Sequence, residues 1–428
     1  MTVDKGLHTV ILDTEKCKGC VACMKRCPTE AIRVRNGKAI IHYERCIGCG
    51  ECVRICPHNA KKATFDSLDM LEDKKFKYRV ALPAPSLYGQ FENLENLNYL
   101  VEGLLSIGFD DVFEVARGAE LVSEISRKLF DNKNLKLPVI STACPAVVEL
   151  IMLRFHDLAD KLLPVLTPAD VSAKIAREEA VKKTGFKSEE IGVFFISPCP
   201  AKVFALKTGL CVDKPVVDGV FSASEIYFKL LPAMKKIIEP RDLSEIGVFG
   251  LSWATSGGEA ASLLKEKYLA ADGVENVINV LKALENGKLS EDIEFIELNA
   301  CIGGCVGGVL NIENPFVAKA KIQAQRKYLP LSKNKLSVQG KDDSFYYWEK
   351  APSLYEDLRL DADLDKAMAK LEKINNIINL LPGLDCGCCG APSCQAFAED
   401  VARGEARITD CHRIDMDKLL EMISSENK

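Results

Sequence analysis

The eighteen cysteines of this chain are gathered into a few runs, and that grouping points to metal or redox chemistry. A thiolate is a soft ligand, suited to iron–sulfur clusters or zinc. Two near-copies of one run lie 29 residues apart: Cys17, Cys20, Cys23 and Cys27 before Pro28, and Cys46, Cys49, Cys52 and Cys56 before Pro57. Three cysteines at every third residue let the chain wrap one corner of a four-iron cube. Gly19, Gly48 and Gly50 let the backbone approach inorganic sulfide closely. Structural zinc uses paired knuckles set apart in sequence, which is not this pattern. Near the C-terminus stand Cys386, Cys389, Cys394 and Cys411, a spacing that suits a further [4Fe–4S] cluster, with zinc as the alternative. Between these sets lie Cys144, Cys199, Cys301 and Cys305. Cys211 reads as a plain buried thiol. Cys388 sits among ligands and could substitute for one. The five histidines are scattered, with none paired at metal spacing.

The doubled N-terminal run is similar to the two-cluster bacterial ferredoxins. That resemblance implies that the fourth cysteine of each run serves the other cluster. Cys17, Cys20, Cys23 and Cys56 then hold one cube, and Cys46, Cys49, Cys52 and Cys27 the other. Residues 1–75 carry fourteen Lys and Arg against ten Asp and Glu. The excess either offsets the negative charge of the cubes or is solvated surface. The C-terminal set resembles the four-cysteine module of Rnf-type electron-transfer subunits and corrinoid iron–sulfur proteins, with a helix expected from Cys394 to Glu405.

The elements that position the remaining cysteines are legible as apolar runs. Residues 78–82, 111–115, 137–140, 191–196, 246–251 and 293–298 read as strands, most of them followed by a turn and a helical stretch. This alternation predicts an α/β domain with largely parallel sheets. Each cysteine motif here follows the carboxyl end of a strand, where open α/β sheets place their ligands. Cys144, Cys199, Cys301 and Cys305 can therefore converge on one crevice and hold a further cube. Lys202, three residues after Cys199, would be a cation in a largely apolar pocket. Such a cation is costly unless it meets an anion, which suggests an anionic group on the cofactor.

At this point the chain resembles the [FeFe]-hydrogenases. Their signatures T-S-C-C-P, M-P-C-x2-K and A-C-x-G-G-C-x-x-G-G are matched in order by Ser141–Pro145, Ser197–Lys202 and Ala300–Gly308. The resemblance spans roughly residues 1–313. It implies that Cys144, Cys199, Cys301 and Cys305 hold the cube of an H-cluster. Cys305 would bridge to a di-iron unit bearing CO, cyanide and an azadithiolate. Lys202 would hydrogen-bond one cyanide, with Pro85 and Ser86 beside the other. The departures from the family pattern are specific. Ala143 stands where the family has its proton-delivering cysteine, and Ser197 and Asn299 stand where it has methionines. Glu120 and Glu124 lie near the expected place of the carboxylate relay. Intact ligands with a broken proton path imply slow turnover, as in the family's divergent, sensory branch.

The 428 residues are 47% hydrophobic and 27% charged, with a formal net charge of −5. That composition is globular and disfavours nucleic acid or anionic lipid as a partner. No run approaches the roughly 20 apolar residues of a membrane helix, so a cytoplasmic protein is expected. The expected organisation is a small α+β ferredoxin-like domain (1–75), a two-lobed α/β H-cluster domain (76–331), a polar linker (332–352) and a small helical Fe–S module (353–428). The cofactors implied are three accessory [4Fe–4S] clusters and an H-cluster. The partners implied are H2 and protons, a redox or signalling protein and the di-iron maturation machinery, with a homo-oligomer as a further option. The competing reading is an electron-transfer or Fe–S assembly protein that holds only [4Fe–4S] clusters.

Overall fold

The computed structural model describes residues 7–131, 135–353 and 360–414. The first six residues of the expected ferredoxin segment and the last fourteen of the C-terminal module lie outside those described. The chain forms two compact units interleaved in sequence. One comprises Met1–Val10, Ile47–Gly50 and Ala63–Ser353; the other comprises Ile11–Cys46, Glu51–Lys62 and Leu354–Lys428.

Eleven strands are found among the described residues. Four belong to the ferredoxin segment: β1 (Val10–Leu12), β2 (Ile32–Arg35), β3 (Lys38–Ile41) and β4 (Lys61–Ala63). Seven build the first unit: β5 (Tyr78–Pro83), β6 (Asp111–Val112), β7 (Val139–Ile140), β8 (Ile191–Ser197), β9 (Gly219–Ser222), β10 (Tyr268–Asp272) and β11 (Phe295–Asn299). The seven form two parallel sheets, ordered β6-β5-β8-β9 and β10-β11-β7. This is the two-lobed parallel α/β architecture that the alternating pattern predicts. All seven residues of β8 are buried. A parallel strand is covered by helices on both faces, so it reads as a continuous apolar run and does not alternate. The covering helices have clear boundary chemistry. Pro168–Thr184 starts on a Thr167/Asp170 capping box and stops at Gly185 in the left-handed conformation. Among the described residues, no helix is long and apolar enough to cross a membrane.

Two expectations are corrected. Residues 246–251 are not a strand; Val248–Ser252 is a short helix. Its first amides donate to the carbonyls of Pro330 and Leu331 at 2.9 and 3.1 Å. Gly250 rests on the backbone of Ala116 with no room for a Cβ. Residues 332–352 are not a free linker. Val338 and Tyr346 are fully buried in the core of the first unit. Tyr347 bridges Val165, and the Trp348 indole donates to the Val165 carbonyl at 3.0 Å.

The second unit joins the ferredoxin segment to the C-terminal one. β2 and β3 pair antiparallel. Helices Leu364–Leu380 and Cys394–Arg403 pack around Ile374, Ile377 and Phe397. Arg33 of β2 makes a two-pronged ion pair with Asp400 at 2.6 and 2.8 Å, both side chains 4% exposed. Arg35 adds a second contact to Asp400 at 2.8 Å, and Arg45 meets Glu399 at 2.8 Å nearer the surface.

Removing one partner of a buried ion pair leaves an uncompensated charge. Asp400→Ala is therefore expected to cost about 3–5 kcal/mol in urea unfolding of the cluster-loaded protein. Glu399→Ala, at the wetter pair, should cost about 1 kcal/mol or less. Equal losses would show that the Arg33–Asp400 pair is not the anchor of this unit.

Candidate active site

In the first unit, three loops leave the carboxyl ends of β7, β8 and β11 and carry the cysteines of interest. Cys144 caps the helix Pro145–Arg154 and Cys199 caps Pro200–Thr208, each followed by proline at the first helical position. Proline suits that position because its missing N–H has no helical partner there anyway. A thiolate at a helix N-terminus also meets the positive end of the helix dipole. Ser197 shapes its turn by donating to the Cys199 carbonyl at 2.9 Å. After β11 the amide of Gly304 closes on the Cys301 carbonyl at 3.1 Å, and Cys305 opens the next turn. The third loop is locked to the second. The Leu310 amide donates to the Pro198 carbonyl at 2.9 Å, and a Cβ on Gly308 would overlap that same carbonyl. Glycine is thus required where the Cys305 loop lies against the Cys199 loop.

Lys202 extends from the helix Pro200–Thr208. Its Nζ lies 3.5 Å from Cys305 Sγ and 3.3 Å from the Ala143 carbonyl. Burial alone would lower this ammonium's pKa, but the thiolates of Cys305, Cys199 and Cys144 hold it above its ordinary value. In return, burial pushes the Cys199 thiol up to about 11 and raises Cys305, and Lys202 opposes both shifts. One cation is therefore surrounded by Cys144, Cys199 and Cys305, with Cys301 four residues from Cys305 on the same loop.

Pro85–Gln90 forms a buried turn after β5. The Gln90 side chain accepts from the Ile312 and Glu313 amides at 3.1 and 3.0 Å, tying this turn to the chain after Cys305. The Ser86 hydroxyl is fully buried and has no hydrogen-bond partner among the described residues. An orphaned hydroxyl is costly unless something bonds it. A half-buried ammonium beside a thiol and an unsatisfied buried hydroxyl fit a bound group that carries anionic acceptors.

The carboxylates near this site are not the expected ones. Glu120 bonds Ser332, and Glu124 accepts from the Val338 amide at 3.5 Å; both face the 332–340 segment. The carboxyl reaching toward Ala143 is Glu259, buried at 5% exposure. Ser141 Oγ donates to Glu259 at 2.5 Å and accepts from the Ala143 amide at 3.2 Å. Behind it lies Glu297, which accepts from the Gly257 and Ala260 amides and from Asn299 Nδ2, each at 2.9 Å. Burial first, and the repulsion between the two carboxyls second, raise the Glu259 pKa well above its ordinary value; burial also raises Glu297, against the donors that surround it. Sequence reading missed this pair. Its one signal is a glutamate inside the apolar run of β11.

In the second unit, the charges acting on Cys23 include those of Cys20, Cys56 and Cys17, whereas those acting on Cys52 include Cys46 and Cys27. Cys56 thus lies near Cys23, and Cys27 near Cys52, with Cys23 also close enough to act on Cys52. Cys386, Cys388, Cys389, Cys394 and Cys411 line one cavity, with Cys386 and Cys388 exposed. Cys211 is buried in the first unit's core. Among the described residues, no three histidine, cysteine or acidic side chains are drawn together for a single metal ion.

Cysteines grouped on parallel-sheet loops, with Lys202 beside Cys305, and on a ferredoxin-like scaffold are the ligand type of an iron–sulfur protein. The family described as iron only hydrogenase large subunit, C-terminal domain, matches residues 77–258 and 250–309, more than half of the chain. A 4Fe–4S dicluster domain matches 9–57, and a putative Fe–S cluster family matches 381–413. The chain belongs to the iron-only hydrogenase large-subunit family. Among curated proteins it is similar to the NADP-reducing hydrogenase subunit HndD of Solidesulfovibrio fructosivorans, 24% identical over 49% of this chain and 44% of that protein. It is also similar to iron hydrogenase 1 of Clostridium pasteurianum, 22% identical over 72% of this chain and 65% of that protein. The chain thus spans less than two thirds of either relative. A solved [FeFe]-hydrogenase HydA1 from Chlamydomonas reinhardtii overlaps 62% of this chain and 87% of its own, at 17% identity and a TM-score of 0.45.

The folded protein keeps a proton on the Glu259–Glu297 pair above the pH at which an unfolded carboxyl loses it. Stability from this pair is therefore full at low pH and falls as pH rises through the neutral range. Glu259→Gln should flatten that decline and remove a protonated-carboxyl band from the infrared spectrum at pH 7. A wild-type spectrum without the band would show the pair fully ionised.

Proposed function

We propose that this chain interconverts H2 with protons and electrons at slow turnover and serves as an H2 detector that passes electrons or a redox signal to a partner. The observation that carries this reading is the half-buried Lys202 set against Cys305, within the electrostatic reach of Cys199 and Cys144, with the orphaned Ser86 hydroxyl on the turn tied to the same loop. When bound, an H-cluster supplies the redox chemistry of H2 cleavage. Cys144, Cys199, Cys301 and Cys305 would hold its cube, with Cys305 also reaching the di-iron unit. Lys202 and Ser86 would donate hydrogen bonds to its anionic ligands. Ser197 and Asn299 fill the methionine positions with polar groups that are already engaged, Ser197 to the Cys199 carbonyl and Asn299 to Glu297.

The proton path follows from the side chains. Glu259 can hold a proton next to Ser141, and the Ser141 hydroxyl can relay it as far as the backbone of Ala143. Ala143 offers only a methyl group, so the relay stops one residue short. A positioned proton-transfer group contributes about 10²–10⁴-fold, and its absence accounts for slow turnover while the cofactor-holding set is complete.

The test is infrared spectroscopy of protein matured with the di-iron assembly machinery and exposed to H2. CO and cyanide bands that shift under H2 are expected. Iron–sulfur cubes without such bands would turn the reading to an electron-transfer or assembly protein. Ala143→Cys should raise the H2 turnover at least tenfold, and adding Glu259→Gln should cancel that gain. An unchanged rate in cofactor-loaded Ala143→Cys would sink the relay account.

A further inference from the structure

The C-terminal cysteines read from sequence as a module of their own, yet within the second unit they are completed by residues of the ferredoxin segment. The Val34 amide donates to the Gly390 carbonyl at 2.8 Å, and a Cβ on Gly390 would overlap the Val34 carbonyl. Arg35 Nη1 donates to the carbonyl of Cys389 at 2.7 Å. Lys25 Nζ donates to the carbonyls of Asp385 and, at 2.8 Å, Pro392. Met24 and Lys25 lie directly over Gly387, so close that a Cβ there would come within 2.9 Å of the Met24 methyl. Met24 follows Cys23, and Gly387 lies between Cys386 and Cys388. The two cysteine sets are thus one residue away from touching side chains. The charge is also lopsided. Arg33 and Arg35 share the single carboxylate of Asp400, while Lys25 donates to neutral carbonyls. Arg35 and Lys25 thus place positive charge beside Cys389 and Cys386 respectively.

We propose that Lys25 and Arg35 are positioning residues that complete the C-terminal cluster site, with Arg33 anchoring the helix Cys394–Arg403 through Asp400. They seat it against the Cys17/Cys20/Cys23/Cys56 cluster and stabilise its reduced form, so that the two clusters exchange electrons directly. In that step one electron leaves one cube and enters the other; no bond is made or broken and no proton moves. A reduced cube carries one more negative charge, which a nearby cation favours. This inference rests on reading both cysteine sets as [4Fe–4S] ligands, and it is independent of whether a di-iron unit is bound.

The test is electron paramagnetic resonance on full-length, cluster-reconstituted protein carrying no di-iron unit, reduced with dithionite. Spin–spin broadening between the two clusters is expected, and Cys394→Ser should abolish it. Arg35→Gln, with unchanged iron content, should move the C-terminal cluster to a more negative potential and leave the Cys46/Cys49/Cys52/Cys27 cluster where it was. Lys25→Gln offers the same readout if Cys394→Ser fails to fold. A fully reduced wild type that gives only a sum of isolated signals would overturn the proposal. So would a potential unmoved in both cation variants, or zinc in the C-terminal site. Failure of the H2 experiment on matured protein leaves all three readouts intact, so the two readings fail separately.

Discussion

An ammonium group partly withdrawn from water needs negative charge beside it, and in this fold that requirement falls on Lys202. Its Nζ reaches the Cys305 sulfur and the Ala143 carbonyl. A helix must therefore start at Cys199 and aim its first turn at the other two loops. Pro200 fixes that start. Gly308 lets the Cys305 loop lie on Pro198, and the end of β7 brings Cys144 and Ala143 to the same place. The parallel sheets matter because they deliver three loops, far apart in sequence, to one edge. Replacing Lys202 with an apolar residue would leave these half-buried thiols without their neighbouring counter-charge.

What the sequence made legible was local. Each ferredoxin run is a loop spacing that needs no tertiary information. The strands of the parallel sheets are apolar runs because both faces are covered. Val248–Ser252 misled because a short apolar stretch has too few residues to separate strand from helix by period. Residues 332–352 misled because polar composition hides a few anchors, Val338, Tyr346 and Trp348, whose burial depends on a groove made elsewhere. The Glu259–Glu297 pair was illegible for the same reason: the carboxyls lie 38 residues apart and meet only when the chain around Gly257–Ala260 caps β11.

Sequence order also concealed the second unit. The positive excess of the ferredoxin segment admitted two readings, compensation of its own clusters or solvated surface. The structure directs part of it elsewhere, because Arg33, Arg35 and Arg45 all meet acidic residues of the helix Cys394–Arg403. Arg33 is the decisive one. Strand β2 can carry a buried arginine only because a carboxylate arrives from 367 residues further along the chain. A two-pronged, desolvated Arg–carboxylate contact fixes orientation as well as distance, so it holds β2 and the helix Cys394–Arg403 in one register.

The proposed detector role gains from the way the active-site residues divide. The groups that would hold and polarise the cofactor are brought together: four half-buried cysteines, Lys202 beside Cys305, and the buried, unpartnered Ser86 hydroxyl. The groups that would move a proton end in a methyl at Ala143. A catalyst working at high flux needs both sets, because turnover is limited by the slower one. A detector needs only the first, because what it reports is the equilibrium between ligand-bound and ligand-free redox states, and that equilibrium depends on differential binding and not on the rate of proton delivery. On the proposed reading, Glu259, Ser141 and Glu297 would be a buried proton reservoir whose slow exchange serves an equilibrium readout better than bulk H2 turnover.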